Sequence, residues 1–78
     1  MTVIRERNGQ ALVRCDEKAA RWRKNDIRYE WWTNTEKMKK GIRLEEVNGK
    51  TRIYCFEFRG GYRERWLMEE FDRRVSKI

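Results

Sequence analysis

Asn8-Gly9 and Asn48-Gly49 constrain this chain more than anything else in it. A two-residue type I′ turn needs positive φ at both central positions, and Asn-Gly tolerates that better than other pairs. Each dipeptide is flanked by strand-like sequence: VIRER and QALVR around the first, IRLEEV and KTRIYCF around the second. Two antiparallel hairpins are therefore expected. Counting outward from the first turn sets Ile4 opposite Val13. Counting from the second pairs Val47 with Lys50, Glu45 with Arg52, Leu44 with Ile53, Arg43 with Tyr54 and Ile42 with Cys55. Side chains alternate along a strand, so one face of that hairpin collects Ile42, Leu44, Ile53 and Cys55 as core. The other carries Arg43, Tyr54 and a Glu45 to Arg52 ion pair.

Two readings stay open for residues 16–24. Asp16 can cap a short helix through EKAARWRK, because its carboxylate accepts from a free backbone N–H and alanine favours helix. Alternatively ARWRK-ND-IRYEW forms a third hairpin, in which Trp22, Ile27, Tyr29 and Trp31 alternate with charged residues. The reading taken is a helical turn over Asp16 to Ala20 followed by strand, and Ile27 to Thr33 is strand in either case. NTEKMKKG, with Asn34 or Thr35 as cap and Gly41 as terminator, is one helical turn or a basic loop. After Gly60-Gly61, the segment YRERWLMEEFDRRVSKI places Tyr62, Trp66, Leu67, Phe71, Val75 and Ile78 at amphipathic-helix spacing. Glu69 to Arg73 and Glu70 to Arg74 are i,i+4 pairs in the better orientation.

These elements add up to an α+β fold: a small antiparallel sheet of hairpins with a C-terminal amphipathic helix, all in one domain, 1–78. Curled further, such a sheet resembles a partly open SH3-like barrel. That likeness is of architecture only, and no motif ties the chain to a family. At 78 residues the core is small, yet ten aromatics and 38% hydrophobic residues take the chain out of the disordered class. Met1-Thr-Val-Ile runs straight into Arg5-Glu6-Arg7, so no leader is expected, and no apolar run is long enough to span a membrane. A soluble, cytoplasmic protein is expected, with Cys15 and Cys55 reduced and buried in their strands.

Catalysis has little to work with here. The chain lacks histidine, neither cysteine has a basic partner of that kind, and no phosphate-loop, dinucleotide or nucleophile-elbow pattern is present. Without histidine, and with only two cysteines, the usual Cys and His zinc sets are excluded within one chain. Glu45-Glu46 and Glu69-Glu70 are adjacent in sequence, so their side chains diverge rather than form an acid/base dyad. No enzyme and no cofactor is expected.

Charge is the informative signal. The formal net charge is +7, and it is uneven. Lys18, Arg21, Arg23, Lys24 and Arg28 against Asp26 give +4 over residues 18–28; Lys37, Lys39, Lys40 and Arg43 give another +4 over 37–43. The C-terminal 61–78 carries only +1. Clustered like charges repel, and an anionic partner relieves that repulsion. Aromatics fall in the same region: if Ile27, Tyr29 and Trp31 face the core, then Arg28, Glu30 and Trp32 face outward. Trp32 beside Arg28, or Trp22, is then available to stack a base while the cations hold phosphates. The plain alternative is that Trp31 and Trp32 cover the ends of a small core. For Trp66, and for the alternating Tyr54, Phe56 and Phe58, core or helix packing is the reading taken.

The function expected is a nucleic-acid-binding module for DNA or RNA, gripping phosphates through Arg21, Arg23, Lys24, Arg28, Lys37, Lys39, Lys40 and Arg43, with stacking by Trp22 or Trp32 and weak sequence preference. Neither an RNP1 octapeptide nor a GxxG loop is present, so the common RNA-recognition modules do not apply. The competing function is a protein-interaction module, an inhibitor or adaptor of viral or mobile-element type docking an acidic surface of a host protein, since tryptophan and arginine dominate interface hot spots. Self-association through a strand edge stays open. Membrane binding is disfavoured, because the polar face of the C-terminal helix is nearly charge-balanced.

Overall fold

A computed structural model of the chain describes residues 1–16, 26–43 and 52–75. Among these residues, four antiparallel strands lie side by side in sequence order: β1 (Thr2–Arg7), β2 (Gln10–Cys15), β3 (Asp26–Trp32) and β4 (Ile53–Arg59). Helix α1 (Thr35–Lys39) follows β3 and helix α2 (Glu64–Val75) follows β4. The fold is α+β. Its sheet is open and does not close into a barrel.

The first turn is as its sequence demands, with φ of 52° at Asn8 and 76° at Gly9. From it the register runs Arg7↔Gln10, Glu6↔Ala11 and Arg5↔Leu12, after which a bulge makes Val3, not Ile4, the partner of Val13. The bulge has a packing cause. It lets Ile4 rest on the core around Leu12 while Arg5 reaches Asp72 of α2 at 3.5 Å.

Both faces of the sheet are covered at the β2–β3 centre. On one face Leu12, Tyr29 and Trp31 meet Leu67, Phe71 and Val75, the i,i+4 stripe of α2. On the other, Ala11, Val13 and Trp32 meet Met38 of α1, with Ile53 alongside. The five-residue α1 is too short to hold itself. Asn34 caps it by accepting from the N–H groups of Glu36 and Lys37 at 3.1 and 3.2 Å. Gly9, in the first turn, offers its carbonyl to the N–H of Thr35 at 2.9 Å, and the Asn8 amide donates to the Val75 carbonyl at 3.0 Å. One turn thus holds the start of α1 and the end of α2.

Several sequence expectations are corrected. Trp32 is only 1% exposed rather than outward-facing, because α1 folds back over its side of the sheet. Ile42 and Arg43 belong to no strand; Tyr54 and Cys55 pair instead with Trp31 and Glu30 of β3. Ile42 is consequently exposed, as is Cys55, whereas Cys15 is half-buried; both thiols are free. They flank β3 on neighbouring strands, opposite Arg28 and Glu30, which is too far for a disulfide. Within α2 the expected Glu70 to Arg74 pair is formed, but Arg73 also goes to Glu70, and Glu69 pairs with Arg65. Trp66 and Tyr54, read as packing residues, stand half exposed. The Asn48-Gly49 turn and the helix-or-hairpin alternative for 17–24 lie outside the described residues.

Candidate nucleic-acid interface

The expected phosphate-binding residues divide into three groups. Arg21, Trp22, Arg23 and Lys24 lie outside the described residues. Arg28 and Arg43 converge on a single buried carboxylate: Glu30, 2% exposed, sits at the centre of the α1 side of the sheet. Arg43 clamps it with two hydrogen bonds of 2.6 and 3.1 Å, Arg28 lies 3.6 Å away, and the Trp32 indole N–H donates to it at 3.2 Å. Burial opposes the charge on Glu30. The guanidinium of Arg43 outweighs it, with help from Trp32 and Arg28, and holds the carboxyl below its ordinary range. Arg43 also lies 5.3 Å over the Trp32 ring, and Arg28 donates to the Cys55 sulfur at 3.1 Å. Burial pushes the Cys15 thiol up, and Glu30 adds to it. Arg28 and Arg43 therefore serve the fold first, neutralising an interior charge.

Lys37, Lys39 and Lys40 form the third group, on and just after α1. Met38 between them is buried, so the lysines splay around a short turn instead of lining one face. Lys39 reaches Glu6 at 3.4 Å, Lys37 is half-buried and Lys40 is exposed.

The feature that sequence reading missed lies on the other side of the sheet. Between β4 and α2 runs an open cleft of about 440 Å³, floored by Trp31 and Phe56 and walled by Tyr54 and Trp66, with Gln10, Glu70 and Arg74 at its polar margin. Tyr54 is 46% and Trp66 49% exposed. Alternation along β4 brings Tyr54, Phe56 and Phe58 to this face; Phe56 and Phe58 stack at 6.5 Å, and Trp66 stands edge to face against Phe58 at 6.4 Å and 85°. Beyond them Arg63 lies over Phe58 and over Tyr62, at 5.9 and 5.4 Å. Tyr62 is 71% exposed. The strip follows β4, whose seven residues span roughly 23 Å at about 3.3 Å each.

Fixed polar groups frame the cleft. Gln10 accepts from the Trp31 indole at 2.9 Å through its amide oxygen, which leaves its NH₂ to other partners. Glu70 accepts from Arg73 and Arg74 at 2.6 and 2.7 Å, and these two guanidiniums hold its carboxyl below the usual range. At the start of α2, Glu64 takes the Tyr29 hydroxyl at 2.9 Å and Arg14 at 3.1 Å. Burial, then this bond to Glu64, pushes the Tyr29 hydroxyl up to about 12. These contacts fix the angle of α2 on the sheet, and with it the width of the cleft.

A signal for Trp66 was present in the sequence. On a helix whose buried stripe is Leu67, Phe71 and Val75, residue 66 is turned about 100° from Leu67, at the margin of the stripe. Among the described residues no group of three His, Cys, Asp or Glu side chains could hold a metal ion, and no helix is long and apolar enough to cross a membrane. Compared with protein-family models, curated proteins and solved structures, the chain matches none.

Proposed function

We propose that this chain is a small, non-enzymatic nucleic-acid-binding module that holds DNA or RNA through its phosphates and through stacking, with weak sequence preference. One observation carries the reading. Three aromatics that ordinary packing would cover, Tyr54, Tyr62 and Trp66, are 46–71% exposed along one strip, interleaved with Arg63 and Arg74, in a chain of net charge +7. Aromatic faces take bases and guanidiniums take phosphates. The exposed Arg52 extends the cationic margin at the start of β4. Arg21, Arg23, Lys24 and the Lys37, Lys39 and Lys40 group supply further phosphate contacts in this reading, while the stacking role passes from the buried Trp32 to Trp66 and Tyr54. A cytoplasmic setting fits two free thiols.

Fluorescence titration of the chain with short oligonucleotides at low salt, followed by back-titration with salt, tests the proposal. Saturable quenching is expected, with a log–log salt slope of about −0.9 for each duplex phosphate neutralised, or about −0.7 for single strands. Affinity that is absent, or indifferent to salt, overturns it. The second reading, an adaptor docking an acidic host protein, is favoured by the largely apolar lining of the cleft. A stoichiometric protein partner captured from nuclease-treated lysate, with no binding to oligonucleotides, would replace the first reading with the second.

A further inference from the structure

The cleft lacks the unpaired cations of a phosphate pocket. The charged side chains that line it, Glu70 and Arg74, are bonded to each other at 2.7 Å, and Arg73 also holds Glu70. The exposed cations Arg52 and Arg63 stand outside it. An anion entering the cleft would find Arg74 already engaged by Glu70. A flat, uncharged group would meet Tyr54, Phe56 and Trp66 on three sides. The volume of about 440 Å³ lies within the range of small-molecule sites, enough for a base and part of its sugar but not for a stacked pair of strands.

In a duplex the faces of the bases are already stacked on one another and only their edges are offered in the grooves. Reaching a base face requires a single strand or a base turned out of the helix. Resting on the reading of the chain as a nucleic-acid binder, we infer that the cleft between β4 and α2 takes one unpaired base, stacked on Trp66, with the flanking phosphates held by Arg52 and Arg63. The preferred ligand is therefore a single strand. Trp66 and Tyr54 are the residues that confer the preference, and the cations around them are indifferent to strandedness.

The test is fluorescence anisotropy with a labelled mixed-sequence 12-mer, single-stranded and as its duplex, at one fixed salt concentration. The single strand is expected to bind at least tenfold tighter than the duplex. Trp66→Ala should weaken the single strand by roughly tenfold or more while leaving duplex affinity in place. Trp66→Phe, which keeps a stacking face, should restore most of the loss, and circular dichroism should show all variants folded, because half of Trp66 is already in solvent. Equal or tighter binding of the duplex overturns the inference and leaves nucleic-acid binding standing. So does single-strand affinity that survives both Trp66→Ala and Tyr54→Ala. Binding of neither form overturns the broader reading as well.

Discussion

Glu30 shows what a single residue can demand of its surroundings. Buried among Val13, Cys55 and Trp32, its carboxylate needs both guanidiniums on that face, so two residues that look like free cations in the sequence are committed to it. Glu30→Ala should destabilise the protein by roughly 3 kcal/mol in urea unfolding, at the low end for a broken buried pair because Arg43 is half exposed. The sign with pH follows from the same contacts. Since the native carboxyl titrates below its ordinary 4.5, its contribution is complete above that pH and is lost as the pH falls through the lower native value. A stability profile from pH 6 to pH 3 should therefore fall with acid, and Glu30→Gln should flatten the part of the fall that Glu30 supplies, leaving the part due to Asp16 and Glu70. Sequence spacing put Glu30, Arg28 and Trp32 on one face correctly. What alternation cannot tell is whether a second layer covers that face; here α1 does, so Trp32 is core, while Trp66, expected to pack, stands half exposed on the opposite face.

Among the elements of the described residues, α1 is the shortest. Its five residues gain little from their own hydrogen bonds, and it persists because Asn34 caps it and Met38 is buried. Asn34→Ala should cost about 1 kcal/mol in chemical denaturation, and hydrogen exchange should show the N–H groups of Glu36 and Lys37 losing protection before those of β3 do. The cap, the terminating Gly41 and the α2 stripe were all legible, since each is a local pattern whose meaning does not depend on distant neighbours. The pairing of β4 was not. Counting from Asn48-Gly49 assigned Tyr54 and Cys55 to Arg43 and Ile42, which belong to no strand, and gave no sign that β3 pairs with β4 from Asp26↔Arg59 to Trp32↔Ile53. A turn dipeptide fixes local register; it does not say which strand lies along the other edge.

For the molecule as a whole, a small sheet is stabilised by one long helix on one face and by a single turn of helix on the other. Phe71 lies at the centre of the larger layer, 5.0 Å from Trp31, and Phe71→Ala should remove about 3–5 kcal/mol. That is most of the stability a domain of this size commonly has, so thermal unfolding should lose its cooperative transition or begin near room temperature. The first turn joins both layers, and this has a bearing on the lifetime of the molecule. Asn-Gly is the pair at which a backbone nitrogen most readily attacks a side-chain amide, because glycine leaves that nitrogen unhindered. The Asn8 amide donates to a carbonyl in the last turn of α2. Attack with loss of ammonia closes a cyclic imide, and water opens that ring to leave, in place of the donor, a carboxylate beside the negative end of a helix. An attachment should become a repulsion, so aged samples are expected to gain one mass unit at Asn8 and to unfold at lower temperature, the end of α2 losing hydrogen-exchange protection first.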